Sequence, residues 1–317
     1  MGTVRVFQVD AFTATRFSGN PAGVVLDADG MSEQDMRALA RELNNGDTAF
    51  VLRPDGPDHD LRVRFFTPRS EAGFVGHATL AVHAVLATLR LAPCPRQRQR
   101  SGLVEVDRLA STPPRIAIRQ PPPPLGRTLA DDELDAVLAA LALRREDLDP
   151  RCPARIAGQG SARLLLGVAE ASVLGRVEAD APSLTRLSAQ LGTPGYFLFT
   201  LRPEQAGVYS EARMFCPALG IPEDPVSGNA HALLGTYLLQ HELLAARADG
   251  PPGASGTIEF TGAQGEYVGR AGRVGVLLAL EQQRLRAVSI IGEAVIVFES
   301  SMEFLGLGKN YKPDRPP

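Results

Sequence analysis

Lysine is almost missing from this chain, and its scarcity excludes whole classes of enzyme. Of 33 basic residues in 317, only Lys309 and Lys312 are lysines. A pyridoxal-phosphate Schiff base or a phosphate-binding P-loop needs a positioned lysine, so neither fits. The three cysteines lie far apart without a CxxC pair, which argues against structural zinc and a disulfide framework. We therefore expect no metal and no cofactor, and chemistry carried by the chain's own side chains.

The chain also lacks a basic excess and a long apolar run. Its formal charge is −3, whereas a nucleic-acid surface normally shows as a clustered basic excess. No apolar run approaches the ~18 residues that a membrane helix needs. We expect no nucleic-acid partner, no membrane and a cytoplasmic location.

Turn-forming residues are abundant instead. The 31 glycines and 25 prolines suit many short strands, which favours an α+β fold over a helix bundle. Apolar periodicity predicts helices over 32–43, 77–90, 131–143, 183–191 and 229–240. The prolines at 121–124 predict a boundary between domains 1–120 and 125–286, with a strand within 287–305 completing the first. We predict a solvated loop at 95–100 and a flexible tail at 309–317.

One motif occurs twice. Phe66-Thr-Pro leads to Gly76 at the start of an apolar helix, and Phe215-Cys-Pro leads to Gly228 at another, 152 residues later. The first N–H groups of a helix are unpaired and attract anions, and glycine allows a ligand close to the backbone. Two facing helix starts would hold a small carboxylate from both sides, and Asp47 and Asp224 nearby could exchange protons with it.

Six segments of the chain follow a known family pattern in order: Asp10–Phe12, Phe17–Ala22, Asp47–Val51, Phe66–Pro68, Gly76–Thr79 and Gly220–His231. The most specific part is the Glu-Asp-Pro-Val-Ser-Gly run at 223–228. In these segments, which span the chain, it resembles the PhzF-type phenazine-biosynthesis family of the diaminopimelate-epimerase-like fold.

The resemblance implies an α+β fold of two pseudo-symmetric domains, each a mostly antiparallel sheet around a central helix, with the site between them. It implies cofactor-independent acid–base isomerisation and a possible homodimer. Asp47 matches the family's proton-relaying glutamate, His77 its active-site histidine and Asp224 its second carboxylate. The substrate-binding residues are then Gly76, Gly228, Asn229, Asn20 and Ser227.

Three departures from the family pattern affect the predicted chemistry. Asp47 is one methylene shorter than glutamate, which sets its oxygens more than ~1 Å further back, and such a displacement can cost ~10²-fold in rate. Asn229 replaces a usual serine. Val75 and Ser227 stand where epimerases of this fold carry thiols, so two-thiol racemisation is excluded.

The other histidines are predicted to lie outside the site. His83 follows His77 by six residues, about 600° around the first helix, and therefore points away from its start. His231 follows Asn229 by two residues, about 200° around the second helix, and points away likewise. His59 and His241 are expected to be exposed. Among the histidines we assign a function to His77 alone, since it stands at the start of the first apolar helix. Imidazole suits proton exchange because it titrates close to neutral pH.

These features predict an isomerase that moves a proton within a small, unsaturated, carboxylate-bearing metabolite. The family prototype acts in phenazine assembly, and the arginine bias suggests a GC-rich bacterial genome, which suits secondary metabolism. The alternative is a non-catalytic module for a small ligand or a protein partner, which kept the fold and lost the relay. The Asp47 substitution leaves that alternative open, whereas retention of both His77 and Asp224 argues against it.

Overall fold

The computed structural model describes residues 2–160, 162–244 and 256–304, so the predicted tail at 309–317 lies outside the described residues. Within them, the helices are α1 Glu33–Leu43, α2 Gly76–Thr88, α3 Asp131–Ala140, α4 Ala171–Arg176, α5 Ala181–Leu191 and α6 Gly228–Gln240. The strands are β1 Gly2–Ala11, β2 Asn20–Leu26, β3 Asp47–Leu52, β4 Leu61–Phe66, β5 Glu71–Ala72, β6 Arg96–Gln99, β7 Gly102–Leu109, β8 Arg115–Gln120, β9 Leu125–Thr128, β10 Arg155–Ala157, β11 Arg163–Val168, β12 Tyr196–Thr200, β13 Ser210–Phe215, β14 Gly256–Gln264, β15 Gly272–Glu281, β16 Arg284–Gly292 and β17 Ala294–Phe304.

The helix before the first site residue starts and stops as the sequence predicts. Ser32 accepts a hydrogen bond from the Asp35 amide, and the Asp35 carboxylate accepts one from the Ser32 amide, which makes a capping box. Asn44 ends the helix in the left-handed conformation, at φ 51°. The chain therefore turns back at once, and Asp47 becomes the first residue of β3.

The strands form one continuous sheet. Strand β17 pairs with β1, β1 with β2, β2 with β3 and β3 with β4, and β6 and β7 lead on to β8. The sheet then passes through an antiparallel β8–β16 pair to β15, β14, β13, β12, β11, β10 and β9. We call residues 2–120 with 294–304 the first half, and residues 125–292 the second half.

Each half wraps its part of the sheet around one helix. In the first half α2 packs on β1, β2, β3, β8 and β17, and in the second α6 packs on β9, β11, β15 and β16. Residues 78–86 of α2 are all buried, which explains why that helix is apolar on nearly every face. The two helices also touch each other, so their N-termini lie at the interface between the halves.

Two local predictions are wrong. The run at 95–100 contains strand β6, in which Gln97 and Gln99 are buried while Arg96 is exposed. Its glutamine and arginine side chains therefore alternate between the two faces of the sheet. The two histidines expected to be exposed are not: His59 is buried, with Nδ1 2.7 Å from Oδ1 of Asp58, and His241 is half-buried.

None of the helices in the described ranges is long and apolar enough to cross a membrane.

Candidate active site

A cavity of about 620 Å³ opens between the two halves, and both predicted helix starts line it. The volume falls in the usual range for a small-molecule site. The predicted site residues that line the cavity are Asp47, Gly76, His77, Asp224, Ser227, Gly228 and Asn229. The fold therefore brings together two motifs that stand 152 residues apart in the sequence.

Asp47 enters the cavity from the first half as the first residue of β3. Its side chain is 15% exposed, and no described residue donates a hydrogen bond to it. Burial raises its pKa from 3.8 to about 7, and repulsion by the Asp224 carboxylate adds to the rise. The carboxyl group is consequently divided between its two protonation states near neutral pH.

His77 lies beside Asp47 as the second residue of α2. Its Nε2 is 3.8 Å from Oδ2 of Asp47, too far for a hydrogen bond, and this buried nitrogen has no hydrogen-bond partner among the described residues. Burial lowers its pKa to about 4. The expectation that His77 titrates close to neutral pH is therefore wrong, because desolvation keeps the imidazole uncharged. As a neutral group it can still donate or accept one hydrogen bond to a ligand.

Asp224 faces Asp47 from the second half, in the loop before α6. Burial raises its pKa to about 6, less than for Asp47. Three interactions favour its ionised form: the charge of Arg163, a 2.8 Å hydrogen bond from Asn20 Nδ2 and a hydrogen bond from the Val226 amide. Near neutral pH Asp224 is mostly the carboxylate, since it has the partners that Asp47 lacks.

Asn20 lies behind Asp224 and is 5% exposed. Its Nδ2 donates to Oδ1 of Asp224 at 2.8 Å and to the Val226 carbonyl at 2.7 Å. Both amide hydrogens are thus used within the protein, and Asn20 is not among the residues that line the cavity. Its predicted contact with substrate stays a prediction, while its contact with Asp224 is direct.

A clamp between the halves fixes the segment that carries Asn20. Arg270, from the second half, donates from Nη2 to Asp10 at 2.6 Å and from Nε to the Gly19 carbonyl at 2.9 Å. The second carboxylate oxygen of Asp10 accepts from the Phe17 amide at 2.6 Å. This ion pair is only partly exposed, so it holds the two cavity walls in register.

The two helix starts differ in their capping. Ser227 accepts a hydrogen bond from the Ala230 amide at 3.3 Å, whereas Val75, its counterpart before α2, makes no side-chain cap. The glycines differ too. A Cβ on Gly228 would come 2.8 Å from Phe12, so that position is glycine for packing, while a Cβ on Gly76 would meet nothing closer than 3.9 Å.

Sequence reasoning missed several residues of the cavity wall. Arg69 and Phe74 come from the first half, and Arg163 and Cys216 from the second. Cys216 stands inside the second repeat, but burial raises the pKa of its thiol, as expected for a small apolar residue. Nothing in the sequence marks Arg163 or Arg69 among 31 arginines.

Metal-ligating side chains do not gather in the described residues, where no group of three histidine, cysteine or acidic side chains could hold an ion.

Comparison with protein families places residues 9–300 under the model described as PhzC-PhzF, phenazine biosynthesis-like protein. An uncharacterized isomerase of Escherichia coli, YddE, is 36% identical over 93% of this chain and 97% of its own length. The trans-2,3-dihydro-3-hydroxyanthranilate isomerase of Pseudomonas aeruginosa is 28% identical over 93% of this chain and 98% of its own length.

Solved structures resemble the whole described architecture. A Bacillus anthracis phenazine biosynthesis protein of the PhzF family matches with a TM-score of 0.83 and 27% identity, covering 96% of this chain and 100% of its own. A hydroxyproline epimerase of Agrobacterium vitis matches with a TM-score of 0.57 and 11% identity, over 94% of this chain and 92% of its own. The second likeness concerns the fold alone. Together they confirm the predicted α+β, diaminopimelate-epimerase-like fold class.

Proposed function

This chain belongs to the PhzC-PhzF family of phenazine biosynthesis-like proteins, and on that premise we propose that it is an isomerase that moves a proton within a small unsaturated carboxylate without a cofactor. The observation that carries the proposal is the pair of carboxyl groups, Asp47 and Asp224, which face one interdomain cavity from opposite halves. Homologues named as isomerases support the reaction class.

Asp47 is the residue that relays the proton. A general acid or base works best when its pKa is near the working pH, and burial brings the pKa of Asp47 to about 7. The carboxylate removes a proton from a carbon of the bound substrate and returns it to another carbon of the same conjugated system. Because one carboxyl group performs both transfers, the proton leaves and returns on the same face of the substrate.

The remaining residues hold the substrate and set its charge. The free amides at the starts of α2 and α6 bind the substrate carboxylate, with Ser227 and Asn229 beside it. Asp224, mostly ionised, accepts a hydrogen bond from an amino or hydroxyl group. Neutral His77 supplies a hydrogen bond next to Asp47 without competing for its proton.

Deuterium transfer tests the proposal. The full chain is incubated in deuterated water with trans-2,3-dihydro-3-hydroxyanthranilate, the compound that the Pseudomonas relative is named for, and with a panel of conjugated carboxylates. We expect deuterium on a product carbon, since the proton that the Asp47 carboxyl group holds exchanges with solvent before it is returned to the substrate. Asp47→Asn should abolish it, and Asp132→Asn, an exposed acidic residue on α3, is the matched control.

The outcomes separate the enzyme from a non-catalytic module. Binding of a panel carboxylate with neither product formation nor deuterium transfer in the wild type would favour the module. If Asp47→Asn keeps near-full transfer, another group carries the proton. Asp47→Glu adds a geometric test: on the relative's compound the longer side chain should raise the rate, and on this protein's own substrate it should lower it.

The finer predictions, namely a role in bacterial secondary metabolism and a homodimer, rest on family membership and stay predictions.

A further inference from the structure

Two arginines on the cavity wall lack a carboxylate partner. Arg163 is the first residue of β11, and Arg69 lies in the loop between β4 and β5. In the described ranges no carboxylate oxygen lies within 4.0 Å of either guanidinium, whereas Arg64 and Arg213 reach Glu71 and Glu223 at 2.8 Å. Arginine stays charged at any working pH, so these two leave positive charge unbalanced by a direct ion pair.

Arg163 is held with its guanidinium at the cavity. Its stem crosses Gly195, where a Cβ would come 2.5 Å from Cδ and 2.8 Å from Nε. One nitrogen, Nη1, donates to the Ala162 carbonyl at 2.8 Å, and Nε is buried without a hydrogen-bond partner among the described residues. A Cβ on Gly195 would also come 2.8 Å from Sγ of Cys216, so Arg163 lies beside that cavity residue. Its charge opposes the rise that burial causes in the pKa of Asp224 and of Cys216.

Arg69 brings a second cation from the opposite half. It is exposed, and its guanidinium nitrogens lie 3.0 and 3.2 Å from where a Cβ on Gly220 would stand. Gly220 has φ +78° and ends the turn that follows Cys216. Arg69 thus spans the cleft on the side of the cavity to which Cys216 and Arg163 belong.

We propose that Arg163, together with Arg69 from the other half, forms a subsite for a second oxyanion of the substrate. This inference rests on the proposed function and deepens it by naming the substrate class, a small dianion. One carboxylate occupies the helix starts at Gly76 and Gly228, and a second carboxylate or a phosphate occupies the arginine side. A guanidinium binds either oxyanion in two-point fashion, and the 620 Å³ cavity has room for both groups.

Matched saturated acids test the subsite without turnover. Glutarate and valerate have the same carbon chain and differ in the second carboxylate, and 4-phosphonobutyrate replaces that carboxylate by a phosphonate. Titration calorimetry on the full chain should show glutarate binding roughly tenfold or more tighter than valerate. A further preference for 4-phosphonobutyrate would identify phosphate as the second oxyanion, and a preference for glutarate would identify carboxylate.

Variants connect the preference to the arginines. Arg163→Gln should reduce glutarate affinity about tenfold while leaving valerate affinity unchanged. Arg163→Lys keeps the charge and should retain part of the preference. Arg69→Gln should lower the preference by less, since Arg69 is exposed, and Arg53→Gln, whose side chain is 88% exposed, is the matched control.

Two results would overturn the subsite. Equal affinity of the wild type for glutarate and valerate would contradict it directly. Equal weakening of both acids by Arg163→Gln would show that Arg163 acts only through Asp224. This test is independent of the proton relay, because the preference for the dianion should persist in Asp47→Asn. If the wild type transfers deuterium but shows no preference for the dianion, the subsite is wrong and the proposed isomerase function stands.

Discussion

The first half and the second half each place a glycine, a helix start and an aspartate at the cavity, but the groups around the two aspartates differ. Around Asp224 the second half supplies Arg163 and the Val226 amide, and the first half supplies Asn20 from across the cleft. Around Asp47 the first half supplies neutral His77 at 3.8 Å and an uncapped helix start after Val75.

The difference divides the work of the site. A carboxyl group with hydrogen bonds and a cation keeps its charge, and its pKa rises only to about 6. A carboxyl group without them is poised near pH 7, where gaining and losing a proton are equally easy. We infer that the second half holds charge and the first half exchanges protons, so that a repeated scaffold gives an asymmetric site.

The largest expected effect comes from removing Asp47, the proposed proton carrier. Asp47→Asn should lower kcat by about 10²- to 10⁴-fold with little change in ligand affinity, because the amide keeps the shape but cannot take a proton. Single-turnover rates and calorimetry on the same sample measure the two quantities. Asp224→Asn should instead weaken binding. If the two variants lose kcat and affinity in the same proportion, Asp47 and Asp224 do not have the separate roles inferred here.

The next effect concerns folding stability against pH. In the unfolded chain both aspartates ionise near 3.8, and in the folded chain at about 7 for Asp47 and about 6 for Asp224. As pH rises, the unfolded chain therefore releases these protons at a lower pH than the folded chain does. The free energy of unfolding consequently falls as pH rises from about 4 to 7. Asp47→Asn should remove a pH dependence on the order of 4 kcal/mol, and Asp224→Asn a smaller one.

Urea unfolding at pH 4, 6 and 8 measures this dependence, with Asp132→Asn as the control. Relative to the wild type, Asp47→Asn should gain stability at pH 8 and much less at pH 4. If the stability of the wild type rises from pH 4 to 8 and Asp47→Asn shows the same pH dependence, Asp47 ionises with an ordinary pKa.

A smaller effect tests why the two aspartates differ. Asn20→Ala removes the 2.8 Å hydrogen bond to Asp224 and should raise the pKa of that group by about one unit, towards that of Asp47. Carbon-13 NMR of labelled aspartates follows both titrations. Asn45→Ala is the matched control, since Asn45 bonds Gln8 at 3.0 Å instead of a carboxylate. An unshifted Asp224 in Asn20→Ala would remove Asn20 as its positioning residue.

The smallest effect tests the capping difference. Ser227→Ala removes the side-chain cap of α6 and should lower the free energy of unfolding by about 1 kcal/mol. Thr236→Ala, within the same helix, should change it by less than about 0.5 kcal/mol. Equal losses in Ser227→Ala and Thr236→Ala would show that the 3.3 Å contact contributes nothing.

Local signals in the sequence were sufficient for much of the site. The capping box of Ser32 and Asp35 and the stop at Asn44 predict where α1 ends, and that end places Asp47 at the first position of β3. The repeated glycine before an apolar helix predicts two anion-holding termini, and both line the cavity. These features depend on neighbours within about four residues, which a sequence displays directly.

Features that depend on distant neighbours were missed or misjudged. His77 was expected to titrate near neutral pH, but its pKa is set by burial that only the packed cleft provides. The arginines of strand β6 are typical of a solvated loop, but Gln97 and Gln99 on the other face of the strand are buried by α2 and its neighbours. The clamp of Arg270 on Asp10 joins residues 260 apart.

Local chemistry along the chain is enough to predict the two helices at the site, the two acids and the family to which the repeat points. The folded arrangement is needed to poise Asp47 near pH 7 while Asp224 stays mostly ionised, and to bring Arg163 and Arg69 to the same cavity. This is because pKa values and unpaired charges depend on desolvation and on groups brought close by folding, and neither is a property of any segment alone.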